Sequence, residues 1–287
     1  MIDLDKLVFQ KLDLEGLKTL VDWAREEGWN PGRYDAEAFW AADPDGFYGY
    51  FFEEYLIAGG AIVSYGGAFG FMGLFIVKPA YRNQGIGRKL WYQRRDTLLN
   101  RLKECATIGM DGVLAMQPFY AKGGFEIAFR DERYERLGEA FVIDRQIKLF
   151  SEKAFDQVSA FDQACFGFPR EAFLKKWLQL NESHVFLYLE EDMLKGYAVL
   201  RRVKRGHKIG PLFAENEVVA EELYKACLNA AKGELVYLDI PVVNKKAVQL
   251  IRKCKANYVF ECARMYYRKP PTLDMQKVFG VTTFELG

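Results

Sequence analysis

The sequence predicts an α+β protein built from one unit used twice, each copy a mixed, mainly antiparallel sheet flanked by helices. Three observations point there. A length of 287 residues is that of two ordinary domains, each able to bury its own core. The order helix, helix, three strands, helix, strand, helix, strand occurs once within 1–140 and again within 141–287. Half of the residues are hydrophobic, 15% are aromatic and 28% are charged, which excludes a disordered, collagen-like or low-complexity chain.

In the first half, Leu17, Leu20, Val21 and Ala24 recur at helical spacing, and Gly28 followed by Pro31 stops that helix. Residues 35–40 read as a second, short helix. Apolar and aromatic runs at 46–52, 56–64 and 69–77, parted by polar or Gly turns, read as three antiparallel strands. Pro79 ends the third strand. Helical spacing returns from Gly85 to about Leu102, with Ile86, Leu90 and Leu98 along one side. A buried strand at 106–110 and a short helix at 116–122 follow. Gly123-Gly124 breaks that helix, and closing strands run from Phe125 to roughly Leu137.

The second half predicts helices at 154–165 and 170–180, then strands at 185–190, 194–203 and 208–213. A helix at 217–231, a strand at 234–240, a helix at 244–253 and a strand at 258–268 complete the parallel. Residues 138–146 are too short and too poor in Pro and Ser for a flexible tether, so the halves are expected to pack together. After Pro270-Pro271, residues 278–284 read as one last strand.

Charge and special residues narrow the function classes. Forty Lys and Arg against 39 Asp and Glu leave a formal charge of +1, with no broad field to gather nucleic acid or an anionic membrane. Neither is expected as a partner. The opening residues are too polar for a secretory signal, and no apolar run reaches membrane-spanning length. Five widely spaced cysteines without a Cys-x-x-Cys pair suggest reduced thiols in the cytoplasm. The two histidines, His184 and His207, have no ligand-like spacing around them, so no metal is expected.

The informative stretch is Leu74-Phe-Ile-Val77-Lys-Pro-Ala-Tyr-Arg82-Asn-Gln84-Gly85-Ile-Gly87-Arg88: a strand, a Pro-marked turn, then two glycines opening a helix. The first N–H groups of a helix lack internal partners and sit at the positive end of its dipole, so a Gly-containing turn there can wrap a diphosphate. It is neither a P-loop, since no Gly-Lys-Ser/Thr follows, nor a Rossmann fingerprint, since Leu90 stands at the third glycine. The basic residues Arg88, Lys89, Arg94, Arg95, Arg101 and Lys103 suit a further phosphate or form a solvated helix face.

Arg-x-x-Gly-x-Gly at this junction resembles the pyrophosphate loop of the GNAT superfamily of N-acetyltransferases. The resemblance implies that Arg82, Asn83, Gln84, Gly85, Ile86, Gly87 and Arg88 hold the pyrophosphate of acetyl-coenzyme A, while Phe75, Ile76 and Val77 pair with its pantetheine arm. A second match, Tyr120-Ala-Lys-Gly-Gly124-Phe125, resembles the Tyr-x-x-x-Gly-Phe of the same superfamily, whose tyrosine lies by the thioester sulfur. That makes Tyr120 the candidate acid for the departing thiolate. A core tyrosine with a satisfied hydroxyl is the alternative.

Attack requires a neutral amine, and deprotonating one of pKa about 10.4 at neutral pH costs roughly 4 to 5 kcal/mol. Many GNAT enzymes carry a Glu on the strand before the loop, but 69–77 holds no acid. Asp111, Asp35, Glu53 and Glu54 are the substitutes, with Asp111 the catalytic candidate. Trp29, Asn30 and Asp35 sit where GNAT folds line the acceptor pocket, so an aromatic wall with an amide and an acid would hold a small-molecule amine. The same residues also read as a turn feeding a capped helix. The second half has no glycine pair at 210–219 and puts Lys253 where Tyr120 stands, so it resembles a degenerate GNAT-like domain. Its expected roles are to close the acceptor pocket, with Asp239 and Asn244 as candidate contacts, or to form a homodimer. The implied activity is acetyl transfer from acetyl-coenzyme A to a primary amine in a ternary complex; the rival is an acyl-coenzyme A sensor without chemistry.

Overall fold

In the computed structural model, which describes residues 2–287, both halves contribute to one mixed sheet. The first half runs β1 (Val8–Lys11), α1 (Leu14–Glu26), α2 (Asp35–Ala42), β2 (Phe47–Phe52), β3 (Tyr55–Tyr65), β4 (Phe69–Val77), α3 (Ile86–Leu99), β5 (Thr107–Val113), α4 (Gln117–Lys122) and β6 (Phe125–Leu137). The second runs β7 (Ile147–Leu149), α5 (Phe155–Phe166), α6 (Glu171–Trp177), β8 (Ser183–Glu190), β9 (Met193–Arg202), β10 (His207–Ala214), α7 (Glu217–Ala230), β11 (Leu235–Pro241), α8 (Lys245–Lys253), β12 (Asn257–Tyr267) and β13 (Val278–Gly280). The predicted element order holds in both halves, with three differences. The short strands β1 and β7 form the two edges of the sheet and bury almost nothing, so they leave no apolar signature. The closing strands expected over 125–137 are one long strand. The final strand stops at Gly280, because the chain beyond it turns inward toward the first half.

The strand order is β1-β2-β3-β4-β5-β12-β6-β11-β10-β9-β8-β7, with β13 on β10. The halves therefore exchange their closing strands: β12 lies between β5 and β6, and β6 lies against β11. The sheet does not divide at residue 140. The exchange is clamped by a buried ion pair, Arg133 on β6 donating to Asp239 on β11 at 2.5 and 2.7 Å.

Helices α1, α2, α5 and α6 cover one face and share a core that crosses between halves. Helix α1 is started by Asp13, whose carboxylate accepts from Gly16 N, and it buries Leu17, Leu20, Val21, Trp23 and Ala24. Phe39 of α2 stacks on Trp177 of α6 at 6.2 Å. On the other face, α3 and α4 cover the first half while α7 and α8 cover the second. Among the described residues no helix is long and apolar enough to cross a membrane.

Candidate active site

The site begins as a fault in the sheet. Strands β4 and β5 are parallel and pair only at Phe69–Thr107, Gly70–Ile108 and Phe71–Gly109. On its other side β4 slips register against β3, with Ala61 facing Gly73 but Gly59 facing Ile76, so β4 carries an extra residue. Leu74 absorbs that bulge at φ +48°. Arg94 of α3, fully buried, donates to the carbonyls of Ala61 and Gly73 and so satisfies backbone oxygens beside the bulge. Beyond the bulge β4 and β5 diverge, and a cavity of 620 Å³ opens between them.

One end of the cavity is the glycine turn. Gly85 stands at the start of α3 with φ +81°, a conformation that favours glycine, and no side chain caps the helix. Its first N–H groups are therefore free of side-chain competition for an anion. A Cβ on Gly87 would come within 3.3 Å of Val77 and 3.5 Å of Phe75, narrowing the gap between helix and strand. Asn83, with φ +60°, adds a second left-handed residue to the turn. Arg82 lines this end; its Nε donates to the Val77 carbonyl at 2.8 Å and its guanidinium pairs with Glu27.

The other end holds the ionisable groups. Tyr120 lines the cavity, with its ring stacked on Trp91 at 6.1 Å. Burial pushes its phenol up to about 12, partly offset by the Arg94 charge. Asp111 on β5 accepts from Arg264 on β12 at 2.7 and 2.9 Å. Burial opposes the charge on Arg264, but Asp111 outweighs it and holds the guanidinium well above its ordinary value. Asp131 and Cys262 lie within 4.8 Å of Asp111. Both Asp131 oxygens are buried without a partner, and burial together with the Asp111 charge drives this carboxyl well up. Burial likewise raises the Cys262 thiol, so it is no thiolate. Trp29, Phe260 and Phe284 form an aromatic wall, and Glu285 completes the lining.

The pattern described as "Acetyltransferase (GNAT) family" matches residues 14–125, and that described as "Acetyltransferase (GNAT) domain" matches residues 158–280. The chain belongs to the GNAT superfamily of acetyltransferases, in tandem form. A similar relative is the holothin acyltransferase of Pseudoalteromonas sp. (strain SANK 73390), 28% identical over 96% of this chain and 92% of its own. Another is the uncharacterized N-acetyltransferase YitH of Bacillus subtilis (strain 168), 25% identical over 99% of each. Among solved structures, a putative acetyltransferase from Pyrococcus horikoshii has a TM-score of 0.84 at 22% identity, covering 100% of this chain and 98% of its own. A tandem GNAT protein from the clavulanic acid biosynthesis pathway has a TM-score of 0.64 at 13% identity, covering 93% of this chain and 99% of its own. Both agree in fold. The chain is an acyltransferase.

The second GNAT unit carries the same fault, already filled. Strands β10 and β11 pair in parallel only over His207–Ile209, as β4 and β5 do. Where they would separate, β13 pairs with β10 at Leu212–Gly280 and Phe213–Val278, and Val281 N donates to the Asp239 carbonyl of β11 at 2.9 Å. The chain's own strand thus occupies the gap. Helix α7 is capped as well, Asn216 Oδ1 accepting from Val218 and Val219 N at 3.0 and 3.1 Å, so its orphan donors are taken.

The cavity of the first GNAT unit gathers Phe75, Ile76, Val77, Arg82, Asn83, Gly85, Gly87 and Arg88 with Tyr120, Asp111 and Trp29. Several sequence expectations lie elsewhere. Gln84 accepts from Ile2 N at 3.0 Å and Ile86 is a core side chain, so neither lines the cavity. Asn30 does not line it either. Asp35 is sealed between the halves, accepting from Gly32 N at 2.7 Å and Arg201 Nε at 2.9 Å, which makes it a clamp rather than a wall of the pocket. Glu53 and Glu54 form the β2–β3 turn, away from the cavity. Asp239 is held by Arg133, and Asn244 caps α8. The basic run on α3 is not one face: Arg94 is interior and Arg101 holds Asp43 at 2.7 Å. Sequence reasoning missed Glu27, Phe260, Cys262, Arg264, Phe284 and Glu285. Five of these come from β12 and the 281–287 segment, which the second half brings to the site.

Proposed function

We propose that the first half, 1–140, binds acetyl-coenzyme A in the split between β4 and β5 and transfers its acetyl group to a primary amine of a small molecule. The half formed by 141–287 closes the acceptor side. One observation carries this reading: an uncapped helix start and a left-handed glycine turn share a single cavity with a tyrosine, while the equivalent gap in the other half is filled. The donor set fits the cofactor. Free N–H groups of the α3 start, with Arg82 and Arg88, suit a diphosphate, and the bulged edge of β4 suits an amide-bearing arm. The relative named as an acyltransferase supports acyl transfer as the activity.

In this mechanism the amine nitrogen attacks the thioester carbonyl, the N–C bond forms and the C–S bond breaks. Sulfur leaves with the electron pair and takes up one proton, while nitrogen sheds one to solvent. Tyr120 donates a hydrogen bond to the developing thiolate. With the phenol near 12 and a thiol near 8.5, full transfer from Tyr120 would be uphill by about 5 kcal/mol, so stabilisation rather than complete protonation is its part. The raised thiol of Cys262 argues against a covalent acetyl-enzyme. The wall of Trp29, Phe260 and Phe284 suits an acceptor with a flat or apolar body.

The test pairs calorimetry of acetyl-coenzyme A with thiol release over a panel of alkyl and aryl amines, including phenethylamine and tryptamine. One acetyl-coenzyme A should bind per chain, and Gly85→Glu should weaken it at least about 100-fold, the loss of one or two charge-assisted hydrogen bonds at about 1.5–3 kcal/mol each. Unchanged affinity in Gly85→Glu would overturn the site. Binding without turnover on any amine would instead favour a sensor.

A further inference from the structure

We infer that the acid missing from β4 is supplied by the 281–287 segment, with Glu285 the base that takes the proton from the acceptor amine. The inference rests on the transferase reading and adds a catalytic residue to it.

Three carboxylates line the cavity, Glu27, Asp111 and Glu285. Glu27 is committed to Arg82 at the diphosphate end, and Asp111 has an Arg264 donor on each oxygen. Glu285 forms no ion pair among the described residues; its one side-chain partner is the Thr283 hydroxyl, a neutral donor. It is buried, with 4% of its surface exposed, yet it lines the cavity.

The position follows from a gap in β4 itself. A Cβ on Gly73 would fall inside the Glu285 carbonyl oxygen and 2.7 Å from its carbon, so β4 has no room for any side chain there. At this point of β4 the backbone of residue 285 takes the volume that a side chain would fill. The segment is fixed before it arrives. Strand β13 anchors it in the second half, Tyr65 Oη donates to the Leu286 carbonyl at 2.8 Å, and Arg170 donates to Thr282 at 2.8 Å. Arg133 lies over the Phe284 ring at 5.3 Å. An acid held this rigidly can receive a proton without the ordering cost of a mobile loop.

The step balances simply. The amine enters as an ammonium ion, one proton moves to the Glu285 carboxylate and on to solvent, and the freed electron pair forms the N–C bond as the C–S bond breaks; nitrogen sheds its second proton as the amide forms, and the leaving sulfur takes up one. The charged groups that feel Glu285 are Asp111 on β5, Arg133 on β6 and Lys208 on β10.

The experiment compares kcat of wild type, Glu285→Gln and Glu285→Asp from pH 6.5 to 9.5 on the fastest amine of the panel, with acetyl-coenzyme A affinity measured beside it. Glu285→Gln should lose about 100-fold in kcat at pH 7 with cofactor affinity within twofold. Its deficit should shrink about tenfold per pH unit as the free amine becomes available. Glu285→Asp should recover part of the rate. A Glu285→Gln rate within twofold of wild type, or a deficit constant across the pH range, would overturn the assignment while leaving the transferase intact. Wild type that binds acetyl-coenzyme A and acetylates no amine would overturn both.

Discussion

The exchanged strands make a quantitative prediction about how the two halves are held. Arg133 sits on β6, contributed by the first half, and its guanidinium reaches Asp239 on β11 and the Trp29 carbonyl at 2.8 Å. Both partners of the ion pair are almost fully buried, with side-chain exposures of 3% and 2%. Arg133→Met keeps much of the volume but strands a carboxylate and a carbonyl away from water. Breaking one side of a buried pair costs about 3–5 kcal/mol. With an unfolding entropy of roughly 2.1 cal/mol/K per residue, ~4 kcal/mol in a chain of 287 residues lowers the midpoint by about 7 °C. The pH dependence has a definite sign. Burial acts to raise the Asp239 carboxyl, but Arg133 outweighs it, so the folded pKa lies below the ordinary value. The pair therefore stabilises fully above the unfolded pKa of about 3.9, and that contribution is lost as pH falls through the lower folded value. In Arg133→Met the raising effect of burial is no longer offset by Arg133, so the deficit should be largest at pH 7.5 and shrink toward pH 4.5. Adding Asp239→Leu should recover part of the loss, because it removes the stranded carboxylate. Urea unfolding at the two pH values measures this. A loss below about 1 kcal/mol at pH 7.5, or one independent of pH, would refute the clamp.

Two further predictions concern the site. Tyr120→Phe should lower kcat by about 10²- to 10³-fold, the size of one lost transition-state donor, with acetyl-coenzyme A affinity within twofold by calorimetry. A phenol near 12 also means that no limb of the pH–rate profile between pH 6 and 10 should disappear in this variant. Glu27→Gln should tighten acetyl-coenzyme A by about two- to fivefold, because it releases Arg82 from a surface pair worth at most about 1 kcal/mol. That gain should vanish in high salt, which titrations at two ionic strengths would show.

Much of the first half was legible locally. The turn from Arg82 to Gly87 could be read because helix starts, left-handed glycines and strand ends are set by neighbours a few residues apart. Tyr120 was singled out by its resemblance to a superfamily motif, and the structure places it within α4, lining the cavity. Asp35 was misread because an acid at a helix start looks the same whether it faces a pocket or meets Arg201 from another domain. Arg94 was misread because a basic residue in a charged run gives no sign that it points inward to the carbonyls beside the bulge.

The sequence by itself determined the repeated unit, the order of its elements and the glycine turn that opens α3, since hydrophobic period and turn chemistry act over short range. Only the tertiary structure decided that β6 and β12 change places, that β13 fills one gap and leaves the other open, and that Glu285 reaches Gly73. Those outcomes depend on contacts between residues as far apart as 73 and 285. Such contacts are fixed by which surfaces can pack without voids or stranded charges, a condition that no local pattern encodes.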